Sequence, residues 1–119
     1  MKNPALYIFM RTDLNMSRGK IAVQAGHAVA ITLHQLYMDN NYEIAEEWFN
    51  NSQVKVVLAI NSVIELHNLL NEVIKRKLTY SIIHDAGRTE VEPNTFTCLA
   101  VGIEERHRLI KLALSLIHI

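Results

Sequence analysis

Apolar residues first gather at Ala5-Leu6-Tyr7-Ile8-Phe9-Met10, a continuous run rich in β-formers, as expected for a strand covered on both faces. Beyond the polar stretch 11–19 the period changes. Ile21, Ala25, Ala28, Val29, Thr32, Leu33 and Leu36 recur at helical spacing and predict a long helix over about 19–37. Ala22, Ala25, Gly26 and Ala28 keep its first half small, which predicts a close approach to a sheet. Gly26 fits that expectation, because a glycine inside a helix costs about 1 kcal/mol unless packing offsets it.

Asn40 or Asn41 is placed to cap a shorter helix in which Tyr42, Ala45, Trp48 and Phe49 share one face, leaving Glu43, Glu46 and Glu47 in water. Residues 54–60 are apolar apart from Lys55 and read as a central strand. Ser62 and Glu65 stand at the spacing of a capping box, and Leu66, Leu69, Leu70, Val73 and Ile74 carry a third helix to about Lys77. A third strand over 79–84, a polar link over 85–94 and a fourth strand over 95–101 follow. Leu109, Leu112, Ala113, Leu116 and Ile117 trace a final helix.

Strands alternating with helices are the pattern of right-handed crossovers. The expectation is an α/β fold with a mixed four-stranded sheet, three strands parallel and the fourth antiparallel, and helices on both faces. In open sheets of this kind ligands bind at the carboxyl ends of the parallel strands. Two polar loops gather there, 11–20 and 85–89.

Composition narrows the class. Half of the 119 residues are hydrophobic and a fifth are charged, which suits one domain over 1–119, with no repeat or linker to divide it. A chain of this size buries roughly two-thirds of its unfolded surface and needs no disulfide or structural metal. The lone Cys98 excludes a disulfide scaffold and any zinc site built from several thiolates, and points to a reducing compartment. The first apolar run, about seven residues, is too short for a signal-peptide core or a membrane span, so a soluble, cytoplasmic protein is expected.

Net charge is zero, with 12 Lys plus Arg against 12 Asp plus Glu, which excludes a bulk polyanion binder. The distribution is uneven. Lys2, Arg11, Arg18 and Lys20 face only Asp13 over residues 1–28, whereas Asp39, Glu43, Glu46 and Glu47 have no cation among them over 39–52. A local basic edge suits contact with a few phosphates. An ordinary uneven surface would give the same counts.

The loop 11–20 brings two cations and Gly19 to a helix start, where unpaired N–H groups and the helix dipole favour anions. It is not a nucleotide-binding loop of the form G-x-x-x-x-G-K-[ST]. Leu14 stands where the first glycine belongs, and Ile21 where the magnesium-binding hydroxyl belongs. Lys20, Gln24 and His27 are spaced to share one helix face. The plain reading of His27 is a half-buried packing residue between Gly26 and Ala28; Lys20 and Gln24 are nearer the loop.

His84-Asp85-Ala86-Gly87-Arg88-Thr89 sets an acid, a glycine, a cation and a hydroxyl directly after a strand. A strand-end turn uses Asp and Gly as well. This loop and the Lys20 helix start should converge on one sheet edge, where an Asp facing a Lys is either a salt bridge or an acid/base and electrostatic pair. In the second case Asp85, with Thr89 orienting, would deprotonate water while Lys20 stabilises the oxyanion of a tetrahedral intermediate, hydrolysing an ester or amide without metal or cofactor. The six His residues show no tight ligand spacing, H-E-x-x-H and G-x-S-x-G are absent, and Cys98 reads as an inert core thiol.

Arg11-Thr12-Asp13-Leu14, Met16, Gly19-Lys20-Ile21-Ala22, Gln24, Gly26-His27-Ala28 and Asp85-Ala86-Gly87-Arg88-Thr89 together resemble the type 2 peptidyl-tRNA hydrolases. Lys55-Val56-Val57-Leu58 and Leu99-Ala100-Val101-Gly102 fall where that family has strands, so the resemblance spans nearly the whole chain. It implies a compact α/β domain, often a homodimer, that cleaves the ester joining a peptide to the terminal ribose of tRNA and recycles stalled peptidyl-tRNA. Lys20, Asp85 and Thr89 then match the catalytic residues, and Gln24 and His27 match positions lining or supporting the site. Arg18 and Arg88 are chosen on charge and location as contacts to phosphates of the tRNA 3′ end and acceptor stem. Ser17-Arg18 stands where the family usually has Gly-Lys. The competing reading is a noncatalytic RNA- or protein-binding module on the same fold.

Overall fold

The computed structural model describes residues 1–85 and 94–116. The elements in chain order are β1 (Pro4–Arg11), α1 (Arg18–Met38), α2 (Tyr42–Asn50), β2 (Lys55–Ile60), α3 (Val63–Lys75), β3 (Tyr80–His84), β4 (Phe96–Glu105) and α4 (Arg106–Ser115). Among the described residues no helix is long and apolar enough to cross a membrane.

The sheet is ordered β2-β1-β4-β3. This corrects the expectation of three parallel strands and one antiparallel. Only β1 and β2 pair in parallel, because β4 inserts between β1 and β3 and pairs antiparallel with both. Burial explains the placement: β4 is buried from Phe96 to Glu104 and so takes the centre, leaving β3 on the rim. β2, expected to be central, is the opposite edge, where Lys55, Val57 and Ala59 are exposed and only the alternate residues turn inward. β3 nevertheless points the same way as β1, since each is antiparallel to β4, and their carboxyl ends open on one edge.

Helices cover both faces. Leu6, Ile8 and Met10 of β1 join Ile83, Cys98 and Ala100 beneath Ala28 and Leu36 of α1 and Trp48 of α2. On the other face Ala5, Tyr7, Phe9, Leu99 and Val101 pack against Leu66, Leu69 and Val73 of α3 and Leu109 and Leu112 of α4. The alternation along β1 and β4 thus sorts each strand's side chains into two cores.

Other expectations change in detail. The buried stripe of α1 is Gln24, Ala28, Thr32 and Leu36. Ala22 and Gly26 face solvent, and a methyl at Gly26 would meet nothing within 4 Å, so close packing does not account for that glycine. Only Trp48 of α2 is buried, with Tyr42 and Phe49 exposed, and Asn41 makes no side-chain capping bond. At α3, Ser62 accepts from Glu65 N, while Glu65 bonds the backbone N–H of Asn61, one residue before the cap. Ile117 lies outside the described residues.

Candidate active site

The site forms where α1 starts beside the carboxyl end of β3. Met16 is buried, which anchors the chain just before the helix, and Ser17 caps it by accepting from Lys20 N at 3.1 Å. Lys20 is thereby fixed in the first turn. Asp85 follows β3 directly; its N–H donates to Thr95 O at 2.9 Å and its carbonyl accepts from Asn94 N at 2.7 Å, so backbone bonds pin both ends of the link.

Lys20 Nζ bonds Asp85 Oδ1, with the two side chains only 10% and 3% exposed. Removing two charges from water is costly and is offset only by close pairing and further hydrogen bonds. Gln24, one turn beyond Lys20 and fully buried, supplies such a bond: its Nε2 donates to the same Asp85 Oδ1 at 3.1 Å. The Gln24 carbonyl oxygen accepts from Thr97 Oγ1 at 2.6 Å, and Ile83 O lies 3.3 Å from that hydroxyl. The carboxylate is thus held by Lys20 and Gln24 of α1, and Gln24 in turn is tied to β4 through Thr97, whose hydroxyl also reaches Ile83 O of β3.

Gln24 thus supports the site from beneath its surface. Its neighbours by spacing behave differently. His27 is exposed, against the expectation of a half-buried residue, because it lies on the solvent flank of the stripe that buries Gln24 and Ala28. Arg18 is exposed at the first position of α1. Arg11, counted in the basic edge, is committed elsewhere: it pairs with Asp13 at 2.6 Å and donates to Phe96 O at 3.1 Å. Hydrogen bonding to that guanidinium holds the Asp13 carboxyl below its ordinary value. Arg88 and Thr89 lie outside the described residues.

Thr97 was not a candidate from sequence. Its one signal is a hydroxyl inside the otherwise apolar run Phe96 to Ile103, a polar group that must find a partner when buried. Cys98 beside it is no nucleophile, because burial pushes its thiol up to about 12.

A separate open groove of about 690 Å³ lies on the α3/α4 side, floored by Phe9, Leu58 and Ile60. Its carboxylates are engaged, Glu65 with Asn61 N and Glu72 with Arg76, and neither Lys20 nor Asp85 lines it.

Comparison with known proteins agrees in kind. The family model described as Peptidyl-tRNA hydrolase PTH2 matches residues 5–116. A peptidyl-tRNA hydrolase of Thermococcus sibiricus is 41% identical over 95 residues, covering 80% of each chain. One from Methanococcus maripaludis is 38% identical over 110 residues, covering 92% of this chain and 93% of its own. Another from Methanocaldococcus jannaschii is 36% identical over 110 residues, covering 90% and 92%.

Proposed function

The chain belongs to the peptidyl-tRNA hydrolase PTH2 family, and on that premise we propose that Lys20 and Asp85 carry its reaction, hydrolysis of the ester joining a peptide to the 3′-terminal ribose of tRNA. The observation that carries this reading is the buried contact of Lys20 Nζ with Asp85 Oδ1 at the sheet edge. A carboxylate held there can take a proton from water, and the neighbouring cation can meet the oxyanion that develops on the ester.

Asp85 takes a proton from water as the oxygen attacks the ester carbonyl, a role worth roughly 10²- to 10⁴-fold in rate. A lysine has three N–H donors. Lys20 commits one to Asp85 and turns another to the carbonyl oxygen as it becomes anionic, a contribution on the order of 10²- to 10³-fold. Collapse of the tetrahedral intermediate breaks the bond to the ribose oxygen, which receives the proton from Asp85. Peptide acid and tRNA with a free terminal hydroxyl leave. Thr89, four residues after Asp85, orients the water in this scheme.

Arg18, at the start of α1, supplies a phosphate contact where the helix dipole already favours an anion, and Arg88 adds a second from the neighbouring loop. His27, exposed on the same helix, extends the surface toward the tRNA 3′ end and acceptor stem. The protein acts on dropped-off or stalled peptidyl-tRNA in the cytoplasm as a homodimer, an assembly supported by the exposed apolar residues Ile110, Leu114 and Leu116 along and after α4. Sedimentation at micromolar concentration checks this point, and a monomer there rejects the dimer.

The activity is tested with purified protein and an N-blocked aminoacyl-tRNA in the presence of a chelator. Release of the blocked amino acid is expected; none from a protein with intact circular dichroism would overturn the reading.

A further inference from the structure

We propose that Thr97 is a positioning residue for the hydrolysis, setting the orientation of the Gln24 amide so that its N–H₂ end faces Asp85. The inference rests on the reading of Asp85 as the base. Gln24 is fully buried, and so is Thr97. Buried amides are retained where both ends are satisfied, and a glutamine amide has nearly the same shape either way round.

Thr97 decides which way. Its hydroxyl carries a single proton and has two acceptors in reach, Gln24 Oε1 at 2.6 Å and Ile83 O at 3.3 Å. When it donates to Gln24 Oε1, the amide must present Nε2 to Asp85 Oδ1, 3.1 Å away, which suits an ionised carboxylate. When Asp85 has taken the proton of the attacking water, the chain can run in reverse. Asp85 then donates to Gln24 Oε1, Gln24 Nε2 donates to Thr97 Oγ1, and the hydroxyl turns to Ile83 O. The forward chain is the better satisfied, since the hydroxyl lies 2.6 Å from Gln24 Oε1 but 3.3 Å from Ile83 O, so Thr97 favours the ionised base, and no proton crosses Gln24. A valine at 97 keeps the shape but removes the donor, so Gln24 Oε1 is left buried without its Thr97 partner whenever Nε2 faces Asp85.

The charged and titratable groups facing Asp85 are few among the described residues. Lys20 of α1 bonds it directly; Cys98 of β4, its thiol pushed up to about 12, donates to the Gln24 backbone carbonyl; and His84, the residue before Asp85, is exposed against Phe96.

The test is the pH profile of kcat/KM for the wild type, Thr97→Val, Thr97→Ser and Asp85→Asn on N-blocked aminoacyl-tRNA. Loss of one net hydrogen bond between neutral groups corresponds to somewhat under one pH unit. Thr97→Val is expected to move the acid limb up by about that amount, and Thr97→Ser to restore it. An unmoved limb in a folded Thr97→Val protein, with Asp85→Asn inactive, overturns the role of Thr97 and leaves Asp85 standing. An active Asp85→Asn overturns the base, and the proposal with it. Should Thr97→Val fail to fold, the wild type decides: the side-chain amide signal of ¹⁵N-labelled Gln24 is expected to shift with the same midpoint as the acid limb. A signal constant across that limb rejects the proposal.

Discussion

Lys20 and Asp85 lie 65 positions apart in the chain and meet as an ion pair with both side chains nearly removed from solvent. Neither β1 pairing nor helix packing requires that contact. It exists because β1 and β3 point the same way across β4, so that the loop after β1 and the residue after β3 reach one edge. The cap at Ser17 and the backbone bonds around Asp85 then hold the two groups in contact.

Ser17→Ala removes the side-chain acceptor for Lys20 N and is expected to cost about 1 kcal/mol, whereas Ser17→Gly costs a few tenths. Thermal unfolding checks the ranking. Equal losses would show that the hydroxyl does not cap α1.

Gly26→Ala is expected to stabilise the protein by about 1 kcal/mol, raising Tm by about 4 °C. The glycine is exposed in mid-helix and an added methyl meets nothing within 4 Å. A lower Tm would place packed atoms against that face.

Asp13 titrates below its ordinary value of 3.8, chiefly because Arg11 hydrogen-bonds its charged form. A carboxyl depressed by folding stabilises the native state above its unfolded pKa, and that stabilisation fades as pH falls toward the folded pKa. Asp13→Asn is therefore expected to be less stable than the wild type at pH 7, with the difference closing below about pH 4. Urea denaturation at a series of pH values measures it; a gap independent of pH would contradict the assignment.

Much of this architecture is legible in the sequence, for physical reasons that also mark where legibility stops. Helices and strands show in period and caps, so α1 and the Ser62 start of α3 emerge nearly in place. Strand order does not show. The alternation from β1 to β3 looks the same whether β3 adjoins β1 or stands one strand away, and only burial along the whole of β4 decides it. Lys55 was the local sign that β2 is an edge, since a central strand has no exit for a lysine. The meeting of Lys20 and Asp85 on one edge was readable from the two polar loops. Thr97 was not, because one hydroxyl in an apolar strand gives no hint of the glutamine 73 residues away that it bonds.

Whether Lys20 and Asp85 act as one unit in the proposed reaction is read by a double-mutant cycle on kcat/KM, with Lys20→Ala, Asp85→Asn and the double variant compared on N-blocked aminoacyl-tRNA. Groups that work together are grossly non-additive, so each single change is expected to cost at least about 10²-fold and the double change little more than the worse single. Losses that multiply in the double variant, or either single variant retaining wild-type turnover with its fold intact, would contradict the account.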